Sequence, residues 1–390
     1  MRLARSGGWV KGASGANLGK STVVGNHLAR YQKFMTLIFS AASIGRPPDS
    51  FILLSDILVT TPTPNANSIM LPHMFTPQQV RFGNAFPHSV SQKTVIFGKT
   101  ALHFSGHSDP CLRIAKRVYE ESSYGEKYVS LSEVIDRANL TVREWSSISV
   151  ATYFASDIYN LHTCGHAVST GNIKYLKDNY EVVVSGRGLN FFLEQLHKDH
   201  FHTQMNLDLV VIQAMIKMIV DPFYGDYKSL TEKFGSWFEF TTYDPPGYSK
   251  LPFALQFWTK FAGSDKYEPG PITFSQYLGY DLVIHTLKPH NGLTYYQPIV
   301  VPDVLNRSNE VHGKTHTDIF SKMRFDPFFM FHILYDYNTS ILKPIGLIKG
   351  EQGRAEDLGI NLPLFSDGGY CTSDHIKYDQ IVYDMISEVS

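Results

Sequence analysis

No acidic residue precedes Asp49, whereas Arg2, Arg5, Lys11, Lys20, Arg30, Lys33 and Arg46 are all basic. Residues 1–119 hold 13 Lys or Arg against Asp49, Asp56 and Asp109 only, and residues 120–390 hold 22 basic against 33 acidic side chains. The formal net charge of −1 therefore hides a cationic first third joined to an acidic remainder. A basic, acid-free arm neutralises phosphates by releasing condensed counterions, without reading base sequence. Two other readings of the same stretch are a merely solvated terminus and an organellar transit peptide, although it is Gly-rich and lacks a sustained amphipathic pattern.

The rest of the chain has the means to fold. With 390 residues, 43% of them hydrophobic and 18% charged, it can bury one large core or two smaller ones. The 26 Phe and 22 Tyr suit extended packed surfaces, whether in a core or between subunits. Cys111, Cys164 and Cys371 are odd in number and far apart, which gives no disulfide framework and a reducing compartment as the default. The longest greasy stretch, Leu207 to Val220, is too short to span a bilayer and carries Gln213 and Lys217, so no membrane partner is expected.

Periodicity predicts mixed structure without repeats. A helix is expected over Asn26 to Ala42, where Leu28, Tyr31, Met35, Phe39 and Ala42 fall at helical spacing. Short β-type runs follow at Phe51 to Leu54 and Thr94 to Phe97, separated by a Pro/Asn/Thr-rich loop from Thr60 to Pro77. Two capping boxes, Ser130 with Glu133 and Ser229 with Glu232, each predict a helix start. The first has Leu131, Val134, Ile135 and Ala138 on one face, and the second has Leu230, Phe234, Trp237 and Phe238 behind it. Further helices are expected over Leu189 to His200 and Leu207 to Val220, and β-type runs at Leu282 to His285 and Gln297 to Val301.

These elements divide into a basic Gly/Ser-rich arm (1–25), a main α+β body (26–245), an aromatic-rich β/α region (246–350) and an acidic C-terminal segment (351–390). Pro/Gly breaks at Asp244 to Gly247 and Glu268 to Pro271 mark the expected boundary. The expected fold class is α+β, with mixed short strands and helices.

Motifs for chemistry are sparse. Ser14 to Thr22 approaches a phosphate-binding loop, but Ser14 stands where the first glycine belongs and no apolar strand precedes it. His103 with His107, and His197, His200 and His202, are His-rich spots. The densest potential ligand set for zinc is His162, Cys164 and His166, against a bland reading as solvated or core-edge side chains. No nucleophile elbow, kinase motif set or CxxC pair is present, and no cofactor is expected.

The segment Gly125-Glu126-Lys-Tyr-Val-Ser130-Leu131-Ser-Glu-Val-Ile-Asp-Arg137 resembles a short stretch that precedes the jelly-roll barrel in picorna-like virus capsid proteins. The mixed, helix-containing pattern suits a helix-rich viral shell fold as well, while the resemblance implies a jelly roll, here an interrupted one. It also implies a coat subunit that assembles with copies of itself in a virion, built in the host cytoplasm, without catalysis. In that reading Arg2, Arg5, Lys11, Lys20, Arg30 and Lys33 face the viral nucleic acid through phosphate contacts. Two other functions fit the same composition, an intracellular enzyme with dispersed active-site residues and a nucleic-acid-binding adaptor.

Overall fold

A computed structural model describes residues 37–43, 51–61, 86–145, 148–155, 160–165, 168–169, 180–186, 215, 218, 219, 237–264, 268–289, 293–307, 311, 313–324, 327–338 and 341–348. All belong to one compact unit, Phe34–Ser390. The expected α+β class is overturned: among the described residues the chain is mostly antiparallel β-sheet, in four sheets with few helices. Periodicity misleads here because short apolar runs read alike as buried strand or buried helix.

The central sheet has six strands. β1 (Leu37–Ser43) pairs with β2 (Phe51–Asp56) on one side and β10 (Tyr180–Gly186) on the other. Beyond β2 lie β11 (Phe238–Asp244) and β12 (Gly247–Leu251), and beyond β10 lies β9 (Val168–Ser169). The helix expected through Ala42 is therefore a strand from Leu37 onward. Pairing on both edges satisfies its backbone, while Leu37 and Phe39 face one layer and Ser40 the other. Trp237 and Phe238, expected on a helix, likewise open β11. Residues 244–247 form the turn of the β11–β12 hairpin.

A four-stranded meander lies on one face of the central sheet: β5 (Thr94–Phe97), β6 (Thr100–Gly106), β7 (Ile148–Phe154) and β8 (Asn160–Gly165). Strand alternation divides its residues between two layers. Ala101, Ala151 and Tyr153 pack against Leu53 and Tyr248 of the central sheet. Val95, Phe97, Leu102, Phe104, Ile148 and Val150 point outward and are covered by helices. Those helices are α1 (Ser108–Glu121) and α2 (Leu131–Arg137), followed by the short α3 (Val142–Trp145). As expected, Leu131, Val134, Ile135 and Ala138 line the buried face of α2. The capping box does not form: Ser130 makes no capping bond, and its hydroxyl instead meets Ser132 Oγ at 2.9 Å.

On the other face of the central sheet lies a seven-stranded sheet. It comprises β13 (Phe253–Lys260), β14 (Glu268–Leu278), β15 (Asp281–Pro289), β16 (Leu293–Tyr295), β17 (Ile299–Val301), β18 (Phe329–Asp336) and β19 (Ile341–Ile348). The β13–β18 pair is parallel. Between the two large sheets sits the main core, with Leu37, Phe39, Ile52, Leu54, Phe238 and Phe240 meeting Phe253, Leu255, Leu282, Ile284, Phe331 and Ile333. Met215, Met218 and Ile219, inside the stretch expected as a helix, are helical and buried in that core. A two-stranded ribbon of β3 (Leu58–Thr61) and β4 (Phe86–Val90) and the helix α4 (His316–Ser321) complete the described elements.

Residues 1–36, the Ser229 capping box and the acidic segment 351–390 lie outside the described residues, as do most of the loop after Thr61 and the helices expected around Leu189 and Leu207.

Candidate active site

Charged residues are almost never fully buried unless paired, so three buried charges with a part-buried fourth are informative. Asp56 ends β2, Lys93 immediately precedes β5, Glu239 lies on β11 and Lys250 on β12. Each is placed by the strand apolar residues around it: Phe51 to Leu54 before Asp56, Val95 to Phe97 after Lys93, and Phe238 and Phe240 around Glu239. Sheet register then brings Glu239 opposite Ser55.

Lys93 is at the centre. Its Nζ donates to Asp56 Oδ1 at 2.8 Å and to Leu58 O at 2.6 Å. An ammonium carries three protons, and among the described residues the third has no acceptor. The side chains of Lys93 and Asp56 are 5% and 0% exposed. Burial pushes the Lys93 ammonium below its ordinary range because it penalises the charged form; the carboxylates of Asp56 and Glu239 work against that.

Asp56 Oδ1 also accepts the backbone amide of Leu37 at 2.9 Å. Asp56 thus ties the start of β1 to the lysine.

Glu239 braces the same lysine from the backbone side. Its Oε2 accepts the amides of Lys93 at 2.6 Å and Thr94 at 3.1 Å, and the Ser55 hydroxyl at 3.2 Å. Its Oε1 accepts from Lys250 Nζ, which also donates to Gln92 Oε1. Gln92 Nε2 in turn donates to Tyr280 O and Val301 O, both at 2.8 Å, fixing the residue before Lys93 to the seven-stranded sheet. The Lys250 ammonium lies 5.5 Å from the centre of the Tyr277 ring, whose phenol is pushed well up by burial and by the nearby Glu239 charge.

The residues singled out from the sequence fall elsewhere. His162 and Cys164 lie two apart on β8, paired with Thr152 and Val150 of β7; His166 and the side chains of this set lie outside the described residues. His103 is fully buried between the sheets, where its Nε2 meets Tyr153 Oη at 3.2 Å and burial takes its pKa to about 3. Among the described residues no group of three His, Cys, Asp or Glu is placed to hold a metal. Arg2, Arg5, Lys11, Lys20, Arg30 and Lys33 all lie outside the described residues. The capsid-like segment from Gly125 to Arg137 forms the link from α1 into α2, with Gly125 closing on the β5–β6 turn through Lys99 N to Gly125 O at 2.9 Å.

A cleft of 580 Å³ on the outer side of the seven-stranded sheet is lined by Asp281, Val300, Asn306, Lys314 and His316 among others. Among the described residues no ion pair joins these groups, in contrast to the Lys93 cluster.

Sequence reasoning missed Asp56, Lys93, Glu239 and Lys250 as a set. The one local signal was a polar residue abutting an apolar run, Ser55-Asp56 after one strand and Gln92-Lys93 before another. A scan against protein-family models finds no match for this chain, and neither does a search of curated proteins.

Proposed function

We propose that this protein is a viral coat subunit that assembles with copies of itself around nucleic acid. The observation that carries the reading is the acid-free cationic stretch before Asp49, joined to an acidic remainder.

In this reading Arg2, Arg5, Lys11, Lys20, Arg30 and Lys33 hold nucleic acid through phosphates. Electron microscopy of the purified protein decides it: uniform shells whose nucleic-acid content falls on deletion of residues 1–24 support it, and small oligomers argue against it.

A further inference from the structure

We propose that the cleft on the outer side of the seven-stranded sheet binds a nucleoside monophosphate, with the base edge held by Asp281 and Asn306 and the phosphate by Lys314 and His316. The inference goes beyond the coat reading and uses none of the residues of the cationic stretch.

The cleft encloses 580 Å³, room for a base, a sugar and a phosphate. Its floor is apolar, with Val311 and Ile319 buried against Val283 and Val300 packed beside them. Asp281, which opens β15, is 3% exposed. Its Oδ1 accepts the Asp303 amide at 2.8 Å, and among the described residues its Oδ2 has no hydrogen-bond partner. A carboxylate oxygen left at the wall of a cleft accepts from whatever donor occupies it.

Asn306 sits at φ +52°, a left-handed conformation that asparagine tolerates better than most residues. The loop around it is clamped. Asp303 O accepts the Asn306 amide at 3.0 Å, and the Asp303 carboxylate takes the Arg307 amide at 3.0 Å and its guanidinium at 2.8 and 2.9 Å. That guanidinium also donates to Ile96 O and lies 4.0 Å from the centre of the Tyr280 ring. Among the described residues the side-chain amide of Asn306 has no hydrogen-bond partner, and it lines the cleft in a fixed place. An amide both donates and accepts, whereas the Asp281 carboxylate only accepts. The two together match the edge of cytosine or adenine, where an amino donor adjoins a ring-nitrogen acceptor. They mismatch uracil, which carries a carbonyl in place of the amine.

Thr315 is extended, at φ −75° and ψ 165°, so Lys314 and His316 on either side of it share one side of the chain, and both line the cleft. The Asp318 carboxylate close by is committed to Thr315 N and Oγ1, at 2.9 and 2.8 Å. An ammonium and an imidazole N–H on one side of the chain suit the oxygens of a phosphate.

The experiment is isothermal titration calorimetry of the full chain with cytidine monophosphate, uridine monophosphate, cytidine and inorganic phosphate. The cytidine nucleotide is expected to bind about tenfold more tightly than the uridine nucleotide or inorganic phosphate. Asp281→Asn keeps an acceptor for the Asp303 amide but turns the oxygen facing the cleft into a donor, so it is expected to abolish that preference. Should this variant fail to fold, Asn306→Gly suits the positive φ and deletes the amide. It is expected to weaken the cytidine nucleotide about tenfold without lowering the thermal midpoint. Lys314→Gln combined with His316→Gln is expected to weaken the cytidine nucleotide by a similar factor while leaving the weaker binding of cytidine unchanged. The inference is overturned by a cytidine nucleotide that does not bind at millimolar concentration, by equal binding of the two nucleotides, or by affinity that survives these substitutions. Inorganic phosphate that binds as tightly as the cytidine nucleotide would mark an anion-binding surface only and overturns it as well.

Discussion

The Lys93 ammonium meets the Asp56 carboxylate at 2.8 Å with both side chains closed to water, and the same carboxylate oxygen takes the amide at the head of β1. A buried pair of this kind is weak as a source of net stability but costly to break, because the surviving charge has no water. Lys93→Met is expected to destabilise the fold by about 3–5 kcal/mol. Asp56→Asn combined with Lys93→Met should lose less than the two single changes together. Urea denaturation of the four proteins of this cycle checks it, and additive losses would show that the pair is not coupled.

Two buried histidines make the fold sensitive to acid. His103, between the sheets, and His285, stacked on Phe274, are both taken to a pKa of about 3 by burial. Below the ordinary value near 6.5 the unfolded chain gains protons that the folded chain refuses, so stability falls as pH drops from about 6.5 toward 3. Each histidine contributes roughly 1.4 kcal/mol per pH unit within that window. Denaturation midpoints measured at pH 7, 6 and 5 should decline, and His103→Gln should flatten the decline by about half. A variant with the wild-type slope would show that His103 takes up its proton in the folded state.

Helix starts offer a direct comparison of a capping box that forms with one that does not. Thr315 accepts the Asp318 amide while Asp318 accepts the Thr315 amide at 2.9 Å, whereas Ser130 caps nothing. Thr315→Ala is expected to cost about 1 kcal/mol and Ser130→Ala less than about 0.5 kcal/mol. Equal effects in chemical denaturation would mean that the two caps were wrongly distinguished.

Gly125 is held at φ +93°, and a Cβ there would stand 1.9 Å from Phe97 O. Backbone strain alone is on the order of 1–3 kcal/mol, and the clash with main chain adds to it. Gly125→Ala should lower the thermal midpoint by many degrees, whereas Gly313→Ala, also at positive φ but in open space, should lower it much less. Similar losses at both positions would remove the role given to the Phe97 contact.

The sequence by itself determined the strands at Phe51 to Leu54, Thr94 to Phe97 and Leu282 to His285, and the buried face of α2, because each pattern is satisfied by near neighbours in the chain. It also determined the separation of charge between the first third and the rest. It did not determine that Leu37–Ser43 is a strand. A seven-residue run of apolar and small residues suits either element, and pairing with β2 and β10 decided the matter. The charged cluster is the extreme case. Asp56 and Lys93 lie far along the chain from Glu239 and Lys250, which share the β11–β12 hairpin, and no local pattern marks the four out as a set. Only sheet register, with Glu239 facing Ser55, and the stacking of the meander on the central sheet bring them together. Tertiary structure decided the site because burial makes isolated charges intolerable, and the positions where four charges compensate one another depend on strand pairing that no local pattern encodes.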